Sequence, residues 1–100
     1  MEKKRPHYDL ASIKVEFCTP EKIRMSHTGL IYAETIGLGL SGLVTLIQGI
    51  ERTCFYKSMT SYADHRTWQD VYHVPWQGLV LYMKFTVDSE GFFLISFKEK

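Results

Sequence analysis

Two kinds of apolar spacing divide the chain near residue 52. Before that point apolar residues recur every three or four positions, and after it they alternate with polar ones. Leu10, Ile13 and Phe17 fall on one helical face, since residues three and four apart line one side of a helix. Pro6 suits a first helical turn, and Thr19-Pro20 stops the helix, so a helix over about 6–18 is expected. Lys22 to Met25 reads as a short strand. Ser26 or Thr28 can cap a second helix running to about Ile36, and Gly37 closes it, because Ser and Thr satisfy free amides at a helix start while Gly accepts the left-handed stop. Ser41 suits the cap of a third helix, in which Leu43, Leu46, Ile47 and Ile50 form one apolar stripe.

From Cys54 onward β-branched and aromatic residues dominate, broken by turn residues. Strands are expected at about 54–62, 67–74, 79–87 and 92–99. The last two are joined only by Asp88-Ser89-Glu90-Gly91 and so should form an antiparallel hairpin. Within it Leu79, Leu81, Met83, Phe85 and Val87 are apolar, as are Phe93, Ile95 and Phe97. Side chains alternate between faces along a strand, so these odd positions share the core face. Cross-strand partners point the same way, and the two tightest registers of correct parity set Tyr82 opposite either Ser96 or Lys98. In both registers Tyr82 and Lys98 are direct or diagonal neighbours on the open face.

A chain of 100 residues reads as one domain, 1–100, because half of it could not bury a stable core. With 45% hydrophobic and 14% aromatic residues it is not a disordered segment. Formal net charge is only +1, so any binding of nucleic acid must come from a local cluster of Lys and Arg. Cys18 and Cys54 lie far apart without a CxxC pattern and read as buried or half-buried free thiols. No apolar stretch follows Met1-Glu2-Lys3-Lys4-Arg5 and no run is long enough to span a bilayer, which leads us to expect a cytoplasmic protein.

The usual chemical motifs are missing. His7, His27, His65 and His73 show no metal-ligand spacing and Asp64-His65 reads as a turn, so no metal site is expected. There is no GxSxG, and Cys18 falls on the expected apolar helix face. Gly37-Leu38-Gly39-Leu40-Ser41-Gly42 has no following Lys and reads as a turn between helices, not a phosphate loop. What remains is a polar and cationic set in the strand-rich half: Tyr56, Lys57, Gln69, His73, Tyr82, Lys84 and Lys98. On pattern alone the ordinary reading of such a set is a solvated sheet face.

The run Phe55-Tyr56-Lys57-Ser58-Met59-Thr60-Ser61-Tyr62-Ala63-Asp64-His65 resembles a signature of the MqsR (motility quorum-sensing regulator) toxins. Trp68-Gln69-Asp70-Val71-Tyr72, the closing Ser96-Phe97-Lys98-Glu99-Lys100 and the opening Met1-Glu2-Lys3 with Pro6-His7 and Leu10 are similar as well. The resemblance spans the whole chain. It implies an α+β, RelE-like fold of the barnase or microbial-ribonuclease kind, with about three N-terminal helices packed on an antiparallel-rich sheet. It also implies a metal-independent endoribonuclease without a cofactor, selective for single-stranded mRNA near GC-containing trinucleotides. Family positions tied to activity fall on Lys57, Gln69, Tyr82 and Lys98, with Tyr56 and Met59 in support. Where a known member carries Arg after the Trp-Gln-Asp-Val-Tyr run, this chain has His73. Arg grips phosphate at any pH and His only when protonated, so a grip at this position should weaken as pH rises.

The expected chemistry is attack by a ribose 2′-oxygen on the adjacent phosphate. Lys57 and Lys98 suit the stabilisation of charge growing on phosphate oxygens. An ordinary phenol titrates near about 10 and is a natural proton donor, yet a neighbouring ammonium favours the phenolate, so Tyr82 stays open as acid or base. Gln69 can orient a phosphate or base edge, and Tyr56 can stack on an unpaired base or simply pack across strands. Lys84 shares the open face as a general phosphate contact. Trp68 and Trp76 read as packing residues. The resemblance further implies an antitoxin partner, with a zinc-stabilised toxin-binding domain and a helix-turn-helix DNA-binding domain, and a role in growth arrest, persistence and biofilm formation. The rival readings are a catalytically silent module binding RNA or antitoxin, and a small-ligand carrier.

Overall fold

Helices fill the first half of the chain and strands the second. The structure is a computed structural model that describes every residue except Ala63, His65 and Lys100, and only the backbone of Glu99. The expected Asp64-His65 turn therefore falls partly outside the described residues.

Helix α1 spans Leu10–Glu16 and begins later than Pro6, because Asp9 is its cap: the Asp9 carboxylate accepts the Ser12 amide at 3.1 Å. The amides of His7 and Tyr8 point instead to the Asp70 carboxylate, at 3.0 and 2.8 Å. Since α1 ends at Glu16, Cys18 lies past its apolar face and is exposed, contrary to the buried position expected of it; Cys54 is half-buried. The strand expected at 22–25 is smaller than that. Pro20–Lys22 is a 3-10 turn, and only Met25 forms a parallel bridge, to Ile95. Helix α2, His27–Ile36, is capped by Ser26, whose side chain accepts the Gly29 amide, and is stopped by Gly37 at φ 77°. Helix α3, Leu40–Gln48, is capped by Gly39 rather than Ser41, which falls inside its first turn. Its stripe is as expected, with Leu43, Ile47 and the following Ile50 buried and Leu46 half-buried.

One five-stranded antiparallel sheet runs in the order β1 (Glu2–Lys3), β2 (Phe55–Thr60), β3 (Trp68–Trp76), β4 (Leu79–Val87), β5 (Phe93–Glu99). Strand β1 was not expected, since two residues carry no periodicity. β3 and β4 join through Gln77-Gly78, both with positive φ of 46° and 79°, the conformation of a tight two-residue hairpin. The β4–β5 register sets Tyr82 opposite Lys98 and Met83 opposite Phe97. That is one of the two registers parity allowed.

Leu81, Met83, Phe85, Ile95 and Phe97 are buried, as alternation requires, and meet Ile13, Phe17, Ala33, Leu43 and Ile47 of the helices in one core. All three helices thus cover one face of the sheet. At about 25 cal/mol per Å² this apolar burial is the main favourable contribution to folding. No single helix among the described residues is long and apolar enough to cross a membrane.

Two polar groups on the core side test this packing. Asp70 is fully buried and accepts hydrogen bonds from the His7 and Tyr8 amides and from the Ser58 hydroxyl, the last at 2.7 Å. Asp70→Ala strands those donors and should cost roughly 3 kcal/mol or more, read by urea unfolding. Tyr72 is also fully buried, and its hydroxyl has no hydrogen-bond partner among the described residues. Burial pushes its phenol from 10.0 up to about 12. The folded state therefore holds that proton more tightly than the unfolded chain. The stability this gives is complete below pH 10 and is lost as pH rises through about 12. Tyr72→Phe should keep stability within about 1 kcal/mol at neutral pH and remove this part of the alkaline loss, measured by urea unfolding across that range.

Candidate active site

With helices on one face, the other face of the sheet is left to the alternate side chains. β2 is bulged between Phe55 and Lys57, which turns Tyr56 out of the regular pairing and onto this face. Three rows of side chains then cross the open face. Met59 stands beside Gln69; Lys57 beside Val71, Lys84 and Ser96; and His73 beside Tyr82 and Lys98. Tyr56 closes the last row by stacking on His73, with ring centroids 4.3 Å apart and planes at 24°. Every candidate read from the sequence, namely Tyr56, Lys57, Met59, Gln69, His73, Tyr82, Lys84 and Lys98, therefore lies on this one face.

The aromatic side chains form a short ridge. His73 lies 5.5 Å from Tyr82, and Tyr56 meets Tyr82 edge-on at 6.3 Å. Cations flank the ridge. The Lys98 ammonium is 5.6 Å from the Tyr82 ring centroid, and that of Lys57 is 5.3 Å from the Tyr56 ring. These contacts are of the cation–π kind, in which an ammonium is attracted by the ring face.

Neighbouring charges leave their marks on the lysines. Burial, and then the nearby Lys98 charge, push the Lys84 ammonium below the usual lysine range. Lys57 is pushed the other way, chiefly by the hydrogen bond its ammonium donates to Glu2. Lys57 also senses the phenols of Tyr82 and Tyr56, which places all three groups over one patch. The Lys57 ammonium in turn holds the Glu2 carboxyl below its usual range.

Glu2 and Lys4 are the residues that sequence reasoning missed. Glu2 pairs in register with Met59 and so faces the open side, and the Lys4 ammonium lies 5.5 Å from the Tyr56 ring. A two-residue edge strand gives no pattern from which either position could have been found. Trp76 packs against the core, as expected. Trp68 points away from the open face, stacked on His7 at 5.3 Å with the Lys3 ammonium 4.2 Å from its ring. Among the described residues no group of three His, Cys, Asp or Glu side chains is placed to hold a metal ion.

Chemically, the face offers ammonium groups for an anion, a phenol between them and an exposed ring at the edge. The pattern of the family described as "Motility quorum-sensing regulator, toxin of MqsA" matches residues 5–99. The mRNA interferase toxin MqsR of Escherichia coli (strain K12) is 38% identical over 100 residues, 100% of this chain and 100% of that protein.

The opposed shifts of the two lysines can be checked directly by NMR titration of their side-chain amino groups. Glu2→Gln should lower the pKa of Lys57, because its main stabilising partner loses its charge. Lys98→Met should raise that of Lys84 by removing a like charge. An unmoved Lys57 in the Glu2 variant contradicts the pairing.

Proposed function

Since the chain belongs to the motility quorum-sensing regulator toxin family, we propose that it is the toxin of a type II toxin-antitoxin system and an endoribonuclease that cuts single-stranded mRNA. The carrying observation is the meeting of Lys57, Tyr82 and Lys98 on the helix-free face, with Tyr82 directly opposite Lys98. In this reading a ribose 2′-oxygen attacks the adjacent phosphorus and loses its proton, the bond from phosphorus to the 5′-oxygen breaks, and that oxygen takes up a proton. The products are a 2′,3′-cyclic phosphate and a 5′-hydroxyl.

Each residue has a task that its position supports. The Lys57 and Lys98 ammonium groups stabilise the charge that grows on the non-bridging oxygens, a preorganised contribution that water cannot match. Lys57 exchanges its contact with the Glu2 carboxylate for one with phosphate. Tyr82, set beside Lys98, is the proton-handling group. Gln69 and Met59 share the row at the far end of the face and receive the neighbouring nucleotide, Gln69 through its amide. His73 and Lys84 hold flanking phosphate oxygens. The exposed outer side of Tyr56 offers a platform for an unpaired base, its other side being taken by His73. The reaction needs no metal in this scheme, and cleavage falls near GC-containing trinucleotides. Growth arrest follows from loss of message in the cytoplasm. An antitoxin with a zinc-stabilised toxin-binding domain and a helix-turn-helix DNA-binding domain restrains it.

The test is cleavage of a defined single-stranded RNA containing such trinucleotides, in EDTA, with the ends mapped. Wild type should leave cyclic-phosphate ends, whereas intact RNA identifies a silent binding module instead. Lys57→Ala and Lys98→Ala should each lower kcat by about 100- to 1000-fold. Tyr82→Phe should slow cleavage by a factor on the order of 100 or more. A substrate with sulfur in place of the 5′ leaving oxygen separates the two roles of the phenol. Sulfur leaves without protonation, so it rescues Tyr82→Phe only if the phenol is the acid.

A further inference from the structure

The cations of the N-terminal segment do not stop at the open face. Lys4 lies over Tyr56 at the border of that face, and the next residue, Arg5, lines a cleft of about 470 Å³ with Pro6, His7, Asp9 and Arg52. Arg52 opens the 3-10 turn Arg52–Cys54 that leads straight into β2 and its bulged Tyr56. The chain on either side of the cleft therefore leads within a few residues to the site, from Arg5 back to Lys4 and from Arg52 on to Tyr56.

The positive charge in this cleft has no acidic partner in contact with it among the described residues: neither Arg5 nor Arg52 forms an ion pair. The acidic side chain of the lining, Asp9, is engaged as the cap of α1, accepting the Ser12 amide at 3.1 Å and the Ser12 hydroxyl at 2.8 Å. Asp70 is sealed beneath the segment by the His7 and Tyr8 amides. Two arginines, against one carboxylate, thus line a space of the size that small-ligand sites occupy. Guanidinium forks match phosphate oxygens bidentately.

We propose that this cleft is a second RNA subsite, binding a phosphodiester of the strand one or more nucleotides away from the scissile bond, with the chain passing over Lys4 and Tyr56 to reach it. The proposal rests on the RNA-cleaving reading of the open face and extends it. Arg5 and Arg52 grip backbone, not bases, so the subsite adds affinity for longer RNA without adding sequence selection. An acidic protein segment is the other polyanion such a cleft could hold. Continuity with the candidate active site favours RNA.

The experiment compares wild type with the double variant Arg5→Gln/Arg52→Gln, both as full chains and with thermal melts to establish that both are folded. Two RNAs share one cleavage site, one of about four nucleotides and one of about twelve. For the longer RNA the variant should raise KM about tenfold with kcat unchanged, while the shorter RNA is cut as before. Binding is read separately by fluorescence anisotropy on the longer strand carrying a 2′-deoxy residue at the cleavage site, which prevents attack. There the variant should bind more weakly, and its slope of log K against log salt should flatten by about 0.7 for each phosphate it no longer neutralises. An Arg5→Lys/Arg52→Lys variant should recover part of the affinity. Equal loss on both RNAs, or unchanged binding of the longer strand, overturns the subsite. If wild type binds the strand but cuts neither RNA, the nuclease reading fails, and the anisotropy result still decides the cleft.

Discussion

One buried carboxylate fastens the start of the chain to the sheet. Asp70 sits on the core side of β3 with no exposure and is satisfied by two amides of the N-terminal segment and one hydroxyl of β2. A buried charge is tolerated only when its oxygens are met by donors, so this carboxylate dictates where His7 and Tyr8 must lie. What the segment supplies follows from that placement. It contributes β1, the Glu2 partner of Lys57, the Lys4 ammonium over Tyr56 and the Arg5 side of the cleft. It leads to Asp9, whose side chain caps α1 and sets its start at Leu10.

The open face depends on the same alternation that builds the core. Each strand position inward to Phe85 or Ile95 sends its neighbour outward, so filling the core with apolar side chains concentrates the polar ones on the opposite side. Lysines that are distant in sequence are thereby brought close enough to shift one another, as Lys84 shows. Glu2 offsets part of this charge at Lys57, while Lys98 stands exposed beside Tyr82. A chain of net charge +1 thus presents a locally cationic surface, which an anionic ligand relieves. A nearly neutral protein can in this way carry a concentrated patch of positive charge without a basic composition.

The strands and their faces were legible because their pattern is strict. Odd positions of 79–85 and 93–97 read as inward and are so, and parity narrowed the Tyr82 register to two choices. Helix α2 was legible at both ends because Ser26 and Gly37 carry local signals with one physical use each. The failures are equally specific. Ser41 looked like a cap, but Gly39 starts α3 without a side-chain bond. Pro6 looked like a helix start, but it precedes a segment held by a distant carboxylate. Cys18 looked buried only because α1 was drawn too long.

Sequence alone therefore determined which residues share a face, since alternation is a property of consecutive bonds and needs no partner. It could not choose between Ser96 and Lys98 opposite Tyr82, because both satisfy parity and both set apolar residues opposite Met83; the folded sheet has Lys98 there, with Phe97 opposite Met83. Nor could it reveal that residues 2 to 5 return to border the site. Two residues of strand have no period, and their position is fixed by pairing with β2 and by the hydrogen bonds that tie the following His7 and Tyr8 to Asp70, more than sixty residues away. Tertiary structure alone satisfies such a group, and by doing so it set Glu2 against Lys57.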